Sequence, residues 1–210
     1  MGNKPIFVFF LASLLTLSNL EAASVNKMTA EVSSEMVQIN TGFDGMNLLL
    51  FGTTNGADDI IIVVKGPRET NIIRKKTRVA GIWANTGKVT IENVPTFYAI
   101  ASTRPLTQIT AKSILKINEI GAENISINIL DHSDENTMAA SDDYMGALVR
   151  LKNRNGLYVA NPIKITLIEN QLFRASINFP ANVSTGKYTA QIYSCNNGLV
   201  LDVISKPILV

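Results

Sequence analysis

Ile60-Ile-Ile-Val-Val64 is bounded by the turn-rich stretch Gly52 to Asp59 and by Gly66-Pro67. The run is short and dominated by β-branched residues, which predicts a buried strand and not a helix. Upstream, Met46-Asn-Leu-Leu-Leu-Phe51 reads the same way, and Val37 and Ile39 alternate with Gln38 and Asn40. Downstream, Asn71 to Trp83 is another extended stretch. Asn85-Thr-Gly87 predicts a turn into Val89-Thr-Ile91, and Phe97 to Ala101 closes the block. Six or so short strands with frequent turns point to an immunoglobulin-like sandwich over residues 25–103.

The period changes after Ser102. Pro105 suits the first position of a helix. Leu106, Ile109, Ile117 and Ile120 recur at helical spacing, with Gly121 as the C-terminal cap. Ile125, Ile127 and Ile129 alternate with polar residues as in a short strand, and Asp131 to Thr137 reads as a polar loop. A second helix is expected from Ser141 to Asn155-Gly156, with Tyr144, Leu148 and Leu151 in one stripe beside Met145 and Val149. These make residues 104–156 a helical connector.

From Leu157 the pattern is β again. Ile163, Ile165 and Leu167 alternate, followed by Phe173 to Phe179, Tyr188 to Cys195 and Leu199 to Ile204. Ser184-Thr-Gly-Lys-Tyr188 looks like a tyrosine corner, in which a Tyr at the start of a strand bonds back to the preceding loop. Asn93-Val-Pro-Thr-Phe-Tyr98 enters its strand in a similar way. That similarity reads either as a structural repeat or as coincidence. The expected fold is therefore mainly β: two immunoglobulin-like sandwich units, the second short and spanning 157–210, with two α-helices between them.

Residues 1–24 read as an export signal. Lys4 precedes the apolar run Ile6 to Leu17, and Ala22-Ala23-Ser24 supply the small residues of a cleavage site. An uncleaved anchor is the alternative, because Leu20 or Glu21 fits poorly three residues before the cut. Either way the rest of the chain is delivered across a membrane. The 210 residues are 46% hydrophobic, and the formal charge of +2 gives no argument for nucleic acid as a partner. Cys195 has no second cysteine to pair with, so no internal disulfide is possible and a free structural thiol is expected.

With these segments in view, the chain resembles the putative alphaproteobacterial transmembrane protein family, whose function is unknown. The resemblance rests on Asp59-Ile-Ile-Ile-Val-Val-Lys-Gly-Pro67, Ile73-Arg-Lys-Lys-Thr-Arg-Val-Ala-Gly-Ile-Trp-Ala-Asn85 and Glu92-Asn-Val-Pro-Thr-Phe-Tyr-Ala-Ile-Ala-Ser102. Ala147-Leu-Val-Arg-Leu-Lys152, Gly156-Leu-Tyr158, Leu172-Phe-Arg-Ala175 and Phe179-Pro-Ala-Asn-Val183 add to it. It implies an exported, periplasmic domain held at the inner membrane by a C-terminal helix. The sequence printed up to Val210 carries no such apolar segment after residue 157. The resemblance also implies a role beside a permease of the sulfite-exporter type, and hence a membrane or envelope protein as partner.

Arg74, Lys76 and Arg78 are the candidate binding face. On an extended strand alternate side chains share a face, so three cations would point together. They suit a sulfate, an anionic lipid headgroup or an acidic partner surface. The commoner use of such a pattern is a solvated outer face. Trp83 is expected to pack in the core. Asp131-His-Ser-Asp-Glu-Asn136 fails as a calcium loop, because Asn136 stands where the tight-turn glycine belongs, and His132 is the only histidine. No nucleophile elbow, phosphate loop, dinucleotide fingerprint or metalloprotease motif occurs. The expectation is a binding protein with no catalytic residue and no cofactor or metal; a soluble-anion or solute module is the alternative.

The leader generates the first prediction. Expressed in a host with an export pathway, the protein should yield a mature chain that begins between Ala22 and Ser24, as read by mass spectrometry of its N-terminus. A cytosolic chain beginning at Met1 would contradict the export reading.

Overall fold

In the computed structural model, which describes residues 27–79, 81–130 and 141–210, Ile60 to Val64 occupy strand β3 (Asp59–Lys65). All five are 0% exposed. Ile60, Ile62 and Val64 point into one core; Ile61 and Val63 point into another on the opposite face. This explains why the run shows no alternation: neither face meets water. Full burial of one such side chain is worth about 1.5–3 kcal/mol. The leader expected over 1–24 and the polar loop expected over 131–137 lie outside the described residues.

Before β3 come β1 (Ala30–Val32) and β2 (Gly45–Thr53). After it follow a long hairpin, β4 (Arg68–Val79) and β5 (Ile82–Pro95), then β6 (Tyr98–Ser102). Next are the short helices α1 (Leu106–Ile109) and α2 (Lys112–Ile117), β7 (Asn128–Ile129) and α3 (Ser141–Arg154). The chain ends with β8 (Ile163–Lys164), β9 (Thr166–Ile168), β10 (Leu172–Pro180), β11 (Lys187–Asn196) and β12 (Leu199–Leu209). The fold is mainly β.

The strands form a four-stranded sheet, β1-β2-β10-β9, a five-stranded sheet, β12-β11-β3-β6-β8, and a three-stranded sheet, β4-β5-β7. The first two share a core of Leu48, Leu50, Ile62, Phe97, Phe179 and Tyr188 among others. Phe97 stacks on Phe179 at 4.9 Å, and Tyr188 packs against both rings. The other face of the five-stranded sheet is covered by Ile109, Leu115, Ile120 and Ile125 from the segment after β6, with Met145 and Val149 of α3.

The pairing runs across the stretches 25–103 and 157–210 that the sequence reading treats as separate units. β2 pairs along its length with β10, and β3 with β11. Both stretches contribute to both sheets, and the segment 104–156 is a covering layer rather than a connector. Pairing between strands more than a hundred residues apart leaves no local sequence signal.

Several boundaries also differ from expectation. The first helix is two short helices, because Thr110 and Ala111 are extended and the Thr110 hydroxyl donates to Gly198 O at 2.7 Å. The alternation Ile163 to Ile168 is split at buried Ile165: β8 joins the five-stranded sheet beside β6 and β9 joins the four-stranded sheet beside β10. Asn85-Thr-Gly87 is not a turn. Lys75 pairs with Gly87 and Lys76 with Asn85, so Thr86 is the extra residue of a β-bulge within β5. Gly81, at φ +86°, lies in the turn between β4 and β5.

The Tyr188 hydroxyl donates to Ser184 O at 2.6 Å, the bond expected of the corner. Tyr98 differs. Its hydroxyl donates forward to Glu119 O and accepts the Gly121 N–H, both at 2.8 Å. The two tyrosines therefore do different jobs, and the suggested repeat does not extend to them. Tyr188→Phe should lower stability by about 0.5–1.5 kcal/mol, the net contribution of one ordinary hydrogen bond. Tyr98→Phe leaves a buried N–H without its acceptor and should cost more, about 1–3 kcal/mol. Denaturant melts of both variants check that order.

Candidate functional site

The β4–β5 hairpin is held at its base. At the base, Ile73, Val89, Ile91 and Val94 pack on Tyr144, Met145 and Leu148 of α3, beside Ile127 and Ile129. Buried Lys152, near the end of α3, reaches Glu69 Oε1 at 2.5 Å, and Asn71 Nδ2 donates to the same oxygen at 3.0 Å. Burial alone would raise the Glu69 pKa; these two donors hold it below the usual carboxylate range.

A second carboxylate ties the hairpin to the sandwich. Glu119 Oε2 accepts Lys65 Nζ from the end of β3 and Arg68 Nη2 from the start of β4, each at 2.8 Å. Its Oε1 accepts the Ser126 N–H at 3.0 Å. Arg68 Nη1 donates to Asn93 O at 2.8 Å, and Asn93 Nδ2 donates to Ser126 O at 3.1 Å. Glu119 (φ +52°) and Asn93 (φ +66°) both adopt left-handed backbone conformations. Such conformations cost non-glycine residues energy, and the surrounding bonds offset it. Burial would push the Glu119 carboxyl up, but Lys65, the Ser126 N–H and Arg68 outweigh it and hold the pKa at about 2. Nothing in the local sequence marks Glu119, because its partners lie on three separate segments.

Beyond the base, Arg74 and Arg78 are exposed on one face of β4. The bulge falls on β5, so the alternation of β4 is unbroken and strand position 76 lies between them, opposite Asn85. Arg78 Nε donates to Gly81 O at 3.2 Å. Lys88, also exposed, stands directly across from Arg74. Like charges directly opposite each other destabilise a sheet. Between Thr70 and Ile91 the chain carries five cations, Arg74, Lys75, Lys76, Arg78 and Lys88, and no Asp or Glu. Among the described residues, no ion pair involves Arg74, Arg78 or Lys88. Lys88 was the cation that strand-by-strand reading missed; only the cross-strand register brings it to this face. The Trp83 backbone pairs with Arg78 on this hairpin.

The remaining titratable groups are structural. Buried Asp59 accepts the Thr103 hydroxyl at 2.7 Å and a bidentate Arg104 guanidinium, which lowers its pKa. Cys195 is 1% exposed, and burial pushes its thiol up to about 11, so it is a poor nucleophile at neutral pH. Among the described residues, no three His, Cys, Asp or Glu side chains are grouped to hold a metal.

The clamp generates a pH prediction. The folded pKa of Glu119 lies below its unfolded value, so its contribution is complete above about pH 4.5 and is lost as pH falls toward about 2. Glu119→Gln should cost about 1–3 kcal/mol at neutral pH, since it leaves two cations short of a partner. Its stability should also fall less steeply than wild type between those pH values. Equal acid dependence of the two proteins would remove Glu119 from that role.

Among the described residues, no helix is long and apolar enough to cross a membrane. No curated protein and no solved structure matches the chain. A family model does match, over residues 27–210, and the chain belongs to that family, described as "Putative transmembrane protein (Alph_Pro_TM)".

Proposed function

We propose that this is an exported, membrane-associated envelope protein that binds an acidic surface of another envelope protein, such as a permease, through the β4–β5 hairpin. The hairpin carries the argument: five cations without one acid, on an arm anchored at its base by the ion pairs of Glu69 and Glu119. An acidic surface would relieve the Arg74–Lys88 repulsion and gain from all the cations together. The leader supports export, and the family description supports association with a membrane.

The scaffold in this reading is one immunoglobulin-like sandwich. The order β1-β2-β10-β9 corresponds to strands A-B-E-D, and β12-β11-β3-β6 to G-F-C-C′. Tyr188 then starts strand F, where a tyrosine corner belongs. The β4–β5 hairpin is an insertion between C and C′. The reading is of a binder and not an enzyme, because buried Asp59 and the partly buried Glu119 and Glu69 each serve a cation within the fold.

Arg74→Glu/Arg78→Glu should retain the wild-type circular dichroism and lose at least tenfold in capture of its envelope partner from solubilised membranes. Poly-glutamate should compete with capture by the wild type. Binding should weaken with salt, as the Debye length shortens from about 10 Å at 0.1 M to about 3 Å at 1 M. Two parallel arms use vesicles containing anionic lipid and inorganic sulfate. If the double variant loses only vesicle binding, the partner is a headgroup; if only sulfate, a small anion. Undiminished binding in all three arms would reduce the hairpin to a solvated surface.

A further inference from the structure

The outer face of the four-stranded sheet is apolar where a solvated sheet face should be polar. Met46 to Phe51 was expected to be a fully buried strand, yet Leu49 and Phe51 point outward and are 39% and 43% exposed. Ile168 of β9 and Leu172 of β10 lie on the same face at 42% and 47%. Together they line a shallow groove of about 370 Å³.

Two charges flank this apolar strip in an ordered way. Glu31 on β1 and Arg174 on β10 are both in register with Phe51 on β2. They therefore stand about 5 Å to either side of it, one strand spacing each way. Rotation by 180° about an axis along β2 sets a second copy face to face with the first. Phe51 then meets Phe51, Leu49 meets Leu49, and each Glu31 meets the Arg174 of the other copy. Such self-complementarity is what an isologous two-fold interface requires. Among the described residues Arg174 has no ion pair, whereas Glu31 pairs with Lys206 and keeps its side chain 54% exposed.

The sheet edges are poorer places for association. β1 and β9 are three residues each. On β12 the Val203 N–H is taken by Asp202 Oδ1 at 2.8 Å, a register shift interrupts the pairing beside it, and Pro207 has no N–H. We infer that the protein forms a two-fold homodimer through the outer face of β1-β2-β10-β9, centred on Phe51 with reciprocal Glu31–Arg174 pairs. The proposal is independent of the hairpin. Strands β2 and β10, nine residues each, make a face about 30 Å long and about 15–19 Å wide. That is small for a protein interface, so the dimer is a micromolar one.

Sedimentation of the mature chain should show a dimer whose fraction rises across the micromolar range. Phe51→Ser, Arg174→Glu and Glu31→Arg should each weaken it at least tenfold, with circular dichroism unchanged. An equimolar mixture of Arg174→Glu and Glu31→Arg should restore a heterodimer, because one Glu31–Arg174 pair is kept as it stands and the other is re-formed with its signs exchanged. Glu31→Arg also sacrifices the Lys206 pair, so a second measurement stands apart from it. Leu49→Cys, on the axis, should be linked to its own copy by a short bismaleimide; Ser176→Cys, off the axis, should not, and native Cys195 is buried. A monomer at millimolar concentration, a dimer indifferent to Arg174→Glu, folded charge variants that fail to associate when mixed, or linking at 176 and not at 49 would each overturn the proposal.

Discussion

β3 has no face turned to water, and that constraint organises the molecule. A strand at the edge of a simple two-sheet sandwich could alternate apolar and polar residues. Ile61 and Val63, however, stand on the outer side of the five-stranded sheet and need a cover of their own. The chain between β6 and β8 supplies it, through Ile109, Leu115, Ile120, Ile125 and α3. Tyr98 locks this layer to the sheet with two hydrogen bonds from one hydroxyl. Packing on one side of β3 thus fixes the sandwich, and packing on the other fixes the position of the covering segment.

The hairpin depends on that layer in turn. Its base rests on α3, and Glu119, which follows α2, holds Lys65 and Arg68 where the chain leaves β3 for β4. At the base, Lys65, Arg68 and Lys152 each have a carboxylate; among the described residues, exposed Arg74, Arg78 and Lys88 have no ion pair. Half-buried charges demand partners, because desolvation is costly, whereas exposed charges are stable without them. On the hairpin, Arg74, Arg78 and Lys88 are therefore left as exposed positive charge beyond the carboxylates of the base.

How much of this was legible follows from the range of each signal. Strand type is local, so Ile60 to Val64, Phe173 to Phe179 and Tyr188 to Cys195 could be read directly, and the Tyr188 corner with them. Partnership is not local. β3 with β11 and β2 with β10 are long-range pairings that no window detects. Ile60 to Val64 and Met46 to Phe51 look alike as strings, yet only the first is covered on both faces. Asn85-Thr-Gly87 has turn chemistry but sits in a bulge, since Gly81 already provides the reversal. Of the binding face, Arg74 and Arg78 were visible from alternation; Lys88 and the clamp at Glu119 needed the fold.

The two exposed features lie on opposite layers. The hairpin continues from β3 and packs on the covering helix α3, while the Leu49–Phe51 face belongs to the far sheet. A dimer joined through the far sheets would therefore hold both hairpins outward and leave neither occluded. Each arm offers only a modest, salt-screened attraction. Two arms on one rigid body make the second contact intramolecular, with an effective concentration that can reach the millimolar range when the geometry allows both to engage. A weak homodimer and a weak cationic contact would then reinforce each other, because binding of a surface with two acidic patches favours the dimer by mass action.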